Sequence, residues 1–318
     1  MYRFFTTVIL ALCVQLVSAQ TYPSQPIRLV VPFAPGGGSD IIARVLSEPL
    51  SRQLGTTVVV DNKPGAGATI GADFVAKSRP DGYTLLYTTI GPQITNPYLM
   101  KSLPYDPVKD LMPVAMLAEL DNVLVVHPSV PARSVRELVA YAKANPGKLN
   151  FSSSGMGTSS HLGGEFFKSL AGIQIQHIAY KGTGPSLQDL QSGNVQMAID
   201  SLATLMPFIK SGKLVALGIS NTQRNPLLPD APPIADELPG YLASTVNYVT
   251  ARAGTPQPII DRLNRDISAV LRLPAVRDRM LGMAVSPVIE TPDVLAARIT
   301  RESEKWRKVI QASGAKVE

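Results

Sequence analysis

The chain has 318 residues, 45% of them hydrophobic and 6% aromatic, with 30 lysines and arginines against 24 aspartates and glutamates for a formal charge of +6. This length supplies one large or two medium α/β units and excludes a small scaffold that needs staples to fold. The basic residues are dispersed except for KWRK at 305–308, a short solvated helix end with no basic face interleaved with aromatics, so nucleic-acid binding is excluded.

Residues 1–19 read as a cleavable export signal. Arg3 gives a positive start, 4–17 form an apolar run, and Val17 and Ala19 satisfy a small-residue cleavage rule. The run is shorter than the roughly 20 residues a membrane span needs. Cys13 falls inside it, so the mature chain carries no cysteine and one positive charge fewer. An exported chain without disulfides is consistent with a core large enough to do without them.

From residue 27 strand-like and helix-like segments alternate. The buried run 27–31 is a strand, and 39–53 has apolar residues at helical spacing, with Pro49 expected to bend or split it. Strand 56–62, helix 68–77 and strand 83–89 complete a βαβαβ series, which predicts a mostly parallel sheet covered by helices. The pattern resets at Asp121. Strand 122–128 precedes a helix capped by Ser134 and closed by Gly147. Strands 149–152, 175–180, 195–200 and 214–220 then alternate with helices 160–170, 185–191 and 202–210.

A proline-rich acidic loop follows Ser220, then strand 244–251 and helices 256–271, 274–281 and 292–312. These last helices have no strands of their own and are expected to pack on the first sheet. The chain therefore crosses twice between a first lobe, 22–121 plus 222–318, and a second, 122–221. Two crossings make a hinge with a ligand cleft between the lobes.

Three strand-to-helix turns share a composition. They are RLVVPFAPGGGSD, with Phe33, Ala34, Gly36, Gly37, Gly38, Ser39 and Asp40; NFSSSGMGTSSHL, with Ser153, Ser154, Gly157, Thr158 and His161; and AYKGTGP, with Tyr180, Lys181 and Gly182. Helix N-termini carry unpaired N–H groups and a partial positive charge, and glycine lets a ligand approach the backbone, so such turns suit an anion. Lys181 is the only formal cation in the three turns, which leaves neutral donors and water to hold the ligand. Asp40 either bonds backbone N–H groups at its helix start or meets an ammonium or hydroxyl of the ligand, and Asp200 at a strand end poses the same choice.

Enzyme signatures are absent. There is no G-x-S-x-G elbow and no P-loop, GAGATIG at 65–71 does not fit G-x-G-x-x-G, and the three histidines, 127, 161 and 177, lack metal-ligand spacing. No cofactor and no metal are expected. An exported enzyme using Ser154, His161 or Asp200 is the rival reading.

The segments YPSQPIRLVVPFAPGGGSD, VVVDNKPGAGATIGADFVAKSRPDGYTLL, LPYDPVKDLMPVA, HPSVPARSVRELVAYAKANPGKLNFSSSGMGTSSHL and YKGTGPSLQDLQSGNVQMAID resemble the substrate-binding proteins of tripartite tricarboxylate transporters, the Bug receptors. The resemblance runs from about residue 22 to the C-terminus. It implies a two-lobed α/β periplasmic binding protein of Venus-flytrap type (type II-like), monomeric, which binds a small carboxylate and serves membrane transporter subunits, or acts as an orphan receptor in sensing. It also implies a ligand held by 33–40, by Ser153 to Thr158 with His161, by 180–182 and Asp200, and by the strand end at 88–91, including Thr88. Two departures stand out. Gly38 replaces a frequent hydroxyl residue, and VNYVTARAGTP at 246–256 stands where the family often has WFGLLAPAGTP, so Asn247, Tyr248 and Arg252 make that strand more polar.

Overall fold

The computed structural model describes residues 22–313, and the export-signal expectation for 1–19 lies outside them. In chain order the elements are β1 (Ile27–Val31), α1 (Gly38–Leu54), β2 (Val58–Asn62), α2 (Thr69–Ala76), β3 (Thr84–Thr88), α3 (Asn96–Leu99), β4 (Leu111–Leu120), β5 (Asn122–Val126), α4 (Val135–Ala144) and β6 (Asn150–Ser153). They continue as α5 (Ser159–Ala171), β7 (Gln176–Ala179), α6 (Thr183–Ser192), β8 (Met197–Ser201), α7 (Leu202–Lys210), β9 (Val215–Ile219), β10 (Thr245–Arg252), α8 (Gln257–Arg272), α9 (Pro274–Gly282), β11 (Val285–Pro287) and α10 (Pro292–Ser313).

Two sheets organise the described residues into a two-lobed α/β protein. One has six strands in the order β11-β4-β10-β3-β1-β2, the other five in the order β7-β6-β8-β5-β9. The expectation of mostly parallel sheets needs correction, because both are mixed. Only β1–β2, β1–β3, β6–β7 and β6–β8 pair in parallel. The strands next to the crossings, β4, β5 and β10, form antiparallel pairs instead. A strand that continues straight from one lobe into the other, as β4 does into β5, has no helical crossover to return it to the same end of a sheet.

Local chemistry explains the helices. α1 buries Ile42, Ala43, Val45, Leu46, Leu50 and Leu54 on one stripe and ends at left-handed Gly55. It is one helix of 17 residues and is not split at Pro49. α4 starts at Ser134, whose side chain accepts from Glu137 N–H, while Glu137 accepts from Arg133 N–H. No strand is expected between residues 89 and 122, yet β4 is an internal strand of the first sheet, between β10 and the edge strand β11. Its sequence, LMPVAMLAEL, is rich in helix formers and lacks alternation, because α8 and α10 pack on it and most of it is buried.

At the crossings, Asp121 accepts from Asn221 Nδ2 at 2.9 Å and Asn225 Nδ2 at 2.8 Å. Asn122 Nδ2 donates to Ala243 O at 2.9 Å, so the two connecting segments are stitched to each other. The final helices do not all sit on the first sheet alone. α10 also packs on α5 of the second lobe, and one apolar cluster joins Ile94 and Met116 to Phe151, Phe167 and Trp306.

Candidate functional site

The first glycine turn is held from below. Asp40, buried at the start of α1, accepts from Gly36 N–H at 2.9 Å, from Asn62 Nδ2 at 3.0 Å and from Arg44 Nε at 2.9 Å. Burial opposes its charge, but the bonds from Arg44, Gly36 and Asn62 outweigh that and hold its carboxyl below the usual range. The carboxylate is thus engaged by the turn itself. It caps no first-turn N–H of α1; it bonds the loop residue before the helix. Asn62 also donates to Phe33 O at 3.0 Å, and Phe33 packs against the first-lobe core. Ala34 and Gly36 are exposed, and Gly37, Gly38 and Ser39 are partly so. Gly37 is the N-cap and no described side chain caps the helix there, so the N–H groups of Gly38, Ser39 and Asp40 have no partner among the described residues.

The second turn is a network of hydroxyls. Thr158 caps α5, donates to Gly155 O at 2.6 Å and lies 3.0 Å from Ser160 Oγ, which lies 2.9 Å from Ser154 Oγ. His161 sits beneath at 2% exposure, and its Nδ1 accepts from Gly157 N–H at 3.1 Å. It stacks on His177 with ring centroids 4.2 Å apart, and His177 Nε2 lies 2.6 Å from Ser153 Oγ. Burial pushes His161 down to about 3 and His177 down to about 4. Both are therefore neutral at physiological pH, and His161 orients the turn as an acceptor.

The third turn contributes backbone. Tyr180 N–H bonds Ser153 O and Gly182 N–H bonds Ser154 O, which fastens it to the second turn. The Tyr180 hydroxyl donates to Asp189 Oδ2 at 2.6 Å, so its proton is engaged within the second lobe. Lys181 is exposed. Asp200 is buried, bonds Ser201 N–H at 2.7 Å and reaches Thr183, and burial raises its carboxyl to about 6. Thr88 is fully buried and donates to the adjacent Thr89 O, so this strand end presents little of its hydroxyl.

The lobes meet at two rims. A Cβ added at Gly38 would lie 3.6 Å from Thr204 Oγ1 on α7, an ordinary van der Waals contact that places the first turn against the second lobe. On the other side Thr95 Oγ1 donates to Gly157 O at 3.0 Å, and a Cβ at Gly67 would lie 3.3 Å from Met156 O. Asn96, tied to Gly67 O and Thr69 Oγ1, forms the seat under Gly157. Each of the two turns thus lies against residues of the other lobe.

Sequence reasoning missed Arg44, Asn62, Asn96 and Thr204. Arg44 was legible as the i+4 partner of Asp40, and Asn62 ends a predicted strand. Asn96 and Thr204 carry no local signal, because their roles arise only where the lobes touch. Among the described residues no cluster of histidine, cysteine, aspartate and glutamate fits a metal ion, and no helix is long and apolar enough to cross a membrane.

Comparison with known proteins bears on the family and the fold. Residues 42–315 match the family model of the tripartite tricarboxylate transporter family receptor. The chain is 40% identical over 303 residues to protein BugT of Bordetella pertussis, covering 95% of this chain and 93% of that one. Among solved structures, an R. palustris protein with adipate superposes with a TM-score of 0.89 at 34% identity, covering 93% of this chain and all of that one (100%). MatC from Rhodopseudomonas palustris with bound malate gives 0.84 at 31% identity, with 91% and 100% coverage. The periplasmic binding protein BugD gives 0.87 at 32% identity, with 93% and 100% coverage.

Proposed function

The chain belongs to the tripartite tricarboxylate transporter receptor family, and from that premise we propose that it is a periplasmic receptor holding one small carboxylate between its lobes for a membrane transporter, without chemical conversion. The observation that carries this reading is the uncapped start of α1 set against Thr204 of the other lobe. A carboxylate there would take N–H groups and Ser39 from the first lobe and hydroxyls such as Thr158 from the second. Bonding both walls at once stabilises the arrangement in which the lobes touch, which is how ligand free energy becomes closure. Adipate and malate in the related structures support a carboxylate of this size.

The catalytic rival lacks a working nucleophile and base. Ser154 faces Ser160, His161 spends Nδ1 on Gly157, and Asp200 is bonded to Ser201 N–H. Ser153 does pair with His177, but Ser153 is fully buried and also bonded to Gly155.

Native mass spectrometry of the purified mature chain, followed by calorimetry with a carboxylate panel, tests the proposal. One acid bound one-to-one and recovered unchanged is expected. Conversion of the acid would replace the receptor with an enzyme, and silence across the panel would remove the carboxylate.

A further inference from the structure

Thr95 closes a turn of π-helix, Gly91–Thr95, in the first lobe and is 0% exposed. Its hydroxyl has one proton to give. Three carbonyls lie within reach: Ile90 O and Gly91 O of its own turn, both at 3.5 Å, and Gly157 O of the second lobe at 3.0 Å. Distance favours Gly157, and so does need. Gly91 O already accepts from Asn96 N–H, whereas Gly157 is buried and its carbonyl has no other donor among the described residues.

Gly157 O belongs to the peptide that leads into Thr158, the cap of α5. On its other side Gly157 N–H is spent on His161 Nδ1 of its own lobe. The second turn therefore fixes one side of Gly157 by itself and leaves the other to a donor that the first lobe supplies. When the lobes part, water can take the place of Thr95 on Gly157 O. The Thr95 proton then has its own turn to return to, since helical threonines readily bond a carbonyl about one turn back.

We propose that Thr95 is a closure latch, a positioning residue whose hydroxyl passes from its own turn to Gly157 O as the lobes meet. It acts between the lobes and not through the ligand. It orients the peptide leading into Thr158 only in the closed arrangement, so the second turn takes its binding shape when the first lobe arrives. The proposal rests on the receptor reading and adds a switch to it: a bond between the lobes themselves stabilises closure beside those made through the ligand.

Thr95→Val keeps the shape and removes the hydroxyl, so closure buries Gly157 O unpaired. Calorimetry and stopped-flow binding with malate, adipate and any acid the purified protein carries should show affinity about 5–20-fold weaker, mainly through faster dissociation. Thr95→Ser, which keeps the hydroxyl, should stay within about 3-fold of wild type. Spin labels, one on each lobe, should report longer interlobe distances for ligand-free Thr95→Val than for wild type. Loss of packing inside one lobe would not give that shift. Unchanged affinity, an equal loss in Thr95→Ser, or unchanged distances would overturn the latch. If no acid binds wild type, the receptor reading fails separately, and the label distances alone decide the proposal.

Discussion

The two glycine turns of the candidate site are held still by opposite means. The first-lobe turn is braced by charge: Asp40 gathers Gly36 N–H, Asn62 and Arg44, so that an acid beside an anion site is already satisfied. The second-lobe turn is braced by neutral groups, a stack of two uncharged histidines and a chain of hydroxyls around Thr158. The difference teaches that neither brace offers net charge to the ligand. The charged brace is closed on itself, and the neutral one is too deeply buried to ionise, so the proposed receptor function leaves recognition to backbone N–H groups and hydroxyls.

The largest expected effect is at the point where the walls meet. Gly157 has φ of 77°, and an added Cβ would lie 2.8 Å from Asn96 Oδ1 and 3.2 Å from Leu99 Cδ1. Gly157→Ala combines left-handed strain with a clash at the rim, and should weaken ligand binding by about 10–100-fold. Calorimetry against wild type checks this, and an unchanged affinity would mean the rim plays no part in closure.

Removing the charge from the first brace comes next. Asp40→Asn keeps the shape but replaces an acceptor oxygen with an amide and leaves Arg44 without its carboxylate, bonded only to Asn62 Oδ1. The expected cost is about 1–2 kcal/mol of binding free energy. The paired variant Arg44→Met should recover none of it if the carboxylate acts mainly through Gly36 N–H. Full recovery would assign the effect to the ion pair instead.

On the other wall, Thr158→Ala removes the α5 cap and one member of the hydroxyl chain. A loss of about 1–2 kcal/mol is expected in binding, with about 1 kcal/mol in urea-unfolding stability from the lost cap. Loss of stability without loss of affinity would make the residue a cap alone.

The smallest effect is on pH dependence. His161 and His177 titrate near 3 and 4 when folded, against 6.5 when unfolded. Between those values the unfolded chain binds more protons, so stability falls as pH drops from about 6.5 towards 4. Asp200 works the other way. Its folded carboxyl is raised to about 6, so its contribution is full below 3.8 and lost as pH rises through 6. Two histidines outweigh one carboxyl, and the urea midpoint should decline modestly from pH 7 to pH 5. His177→Gln should flatten that decline, and an unchanged slope would show that the stack does not carry it.

The sequence by itself determined most elements, because their signals are local. The apolar stripe of α1, the Ser134 cap of α4 and the glycine turns between strand and helix are each readable within a dozen residues, and those turns hold the Gly38, Ser39 and Thr158 groups of the candidate site. Tertiary structure decided what depends on distant neighbours. LMPVAMLAEL becomes the buried strand β4 only because helices from the end of the chain cover it. The sheets are mixed because the chain runs straight from β4 into β5. Asp40 is spent on Gly36, Tyr180 turns to Asp189, and Gly157 needs its bare backbone because Asn96 comes from the other lobe. A hydrogen bond consumes a donor or acceptor wherever its partner lies in the chain, so which groups remain free for a ligand is settled only when both lobes are in place.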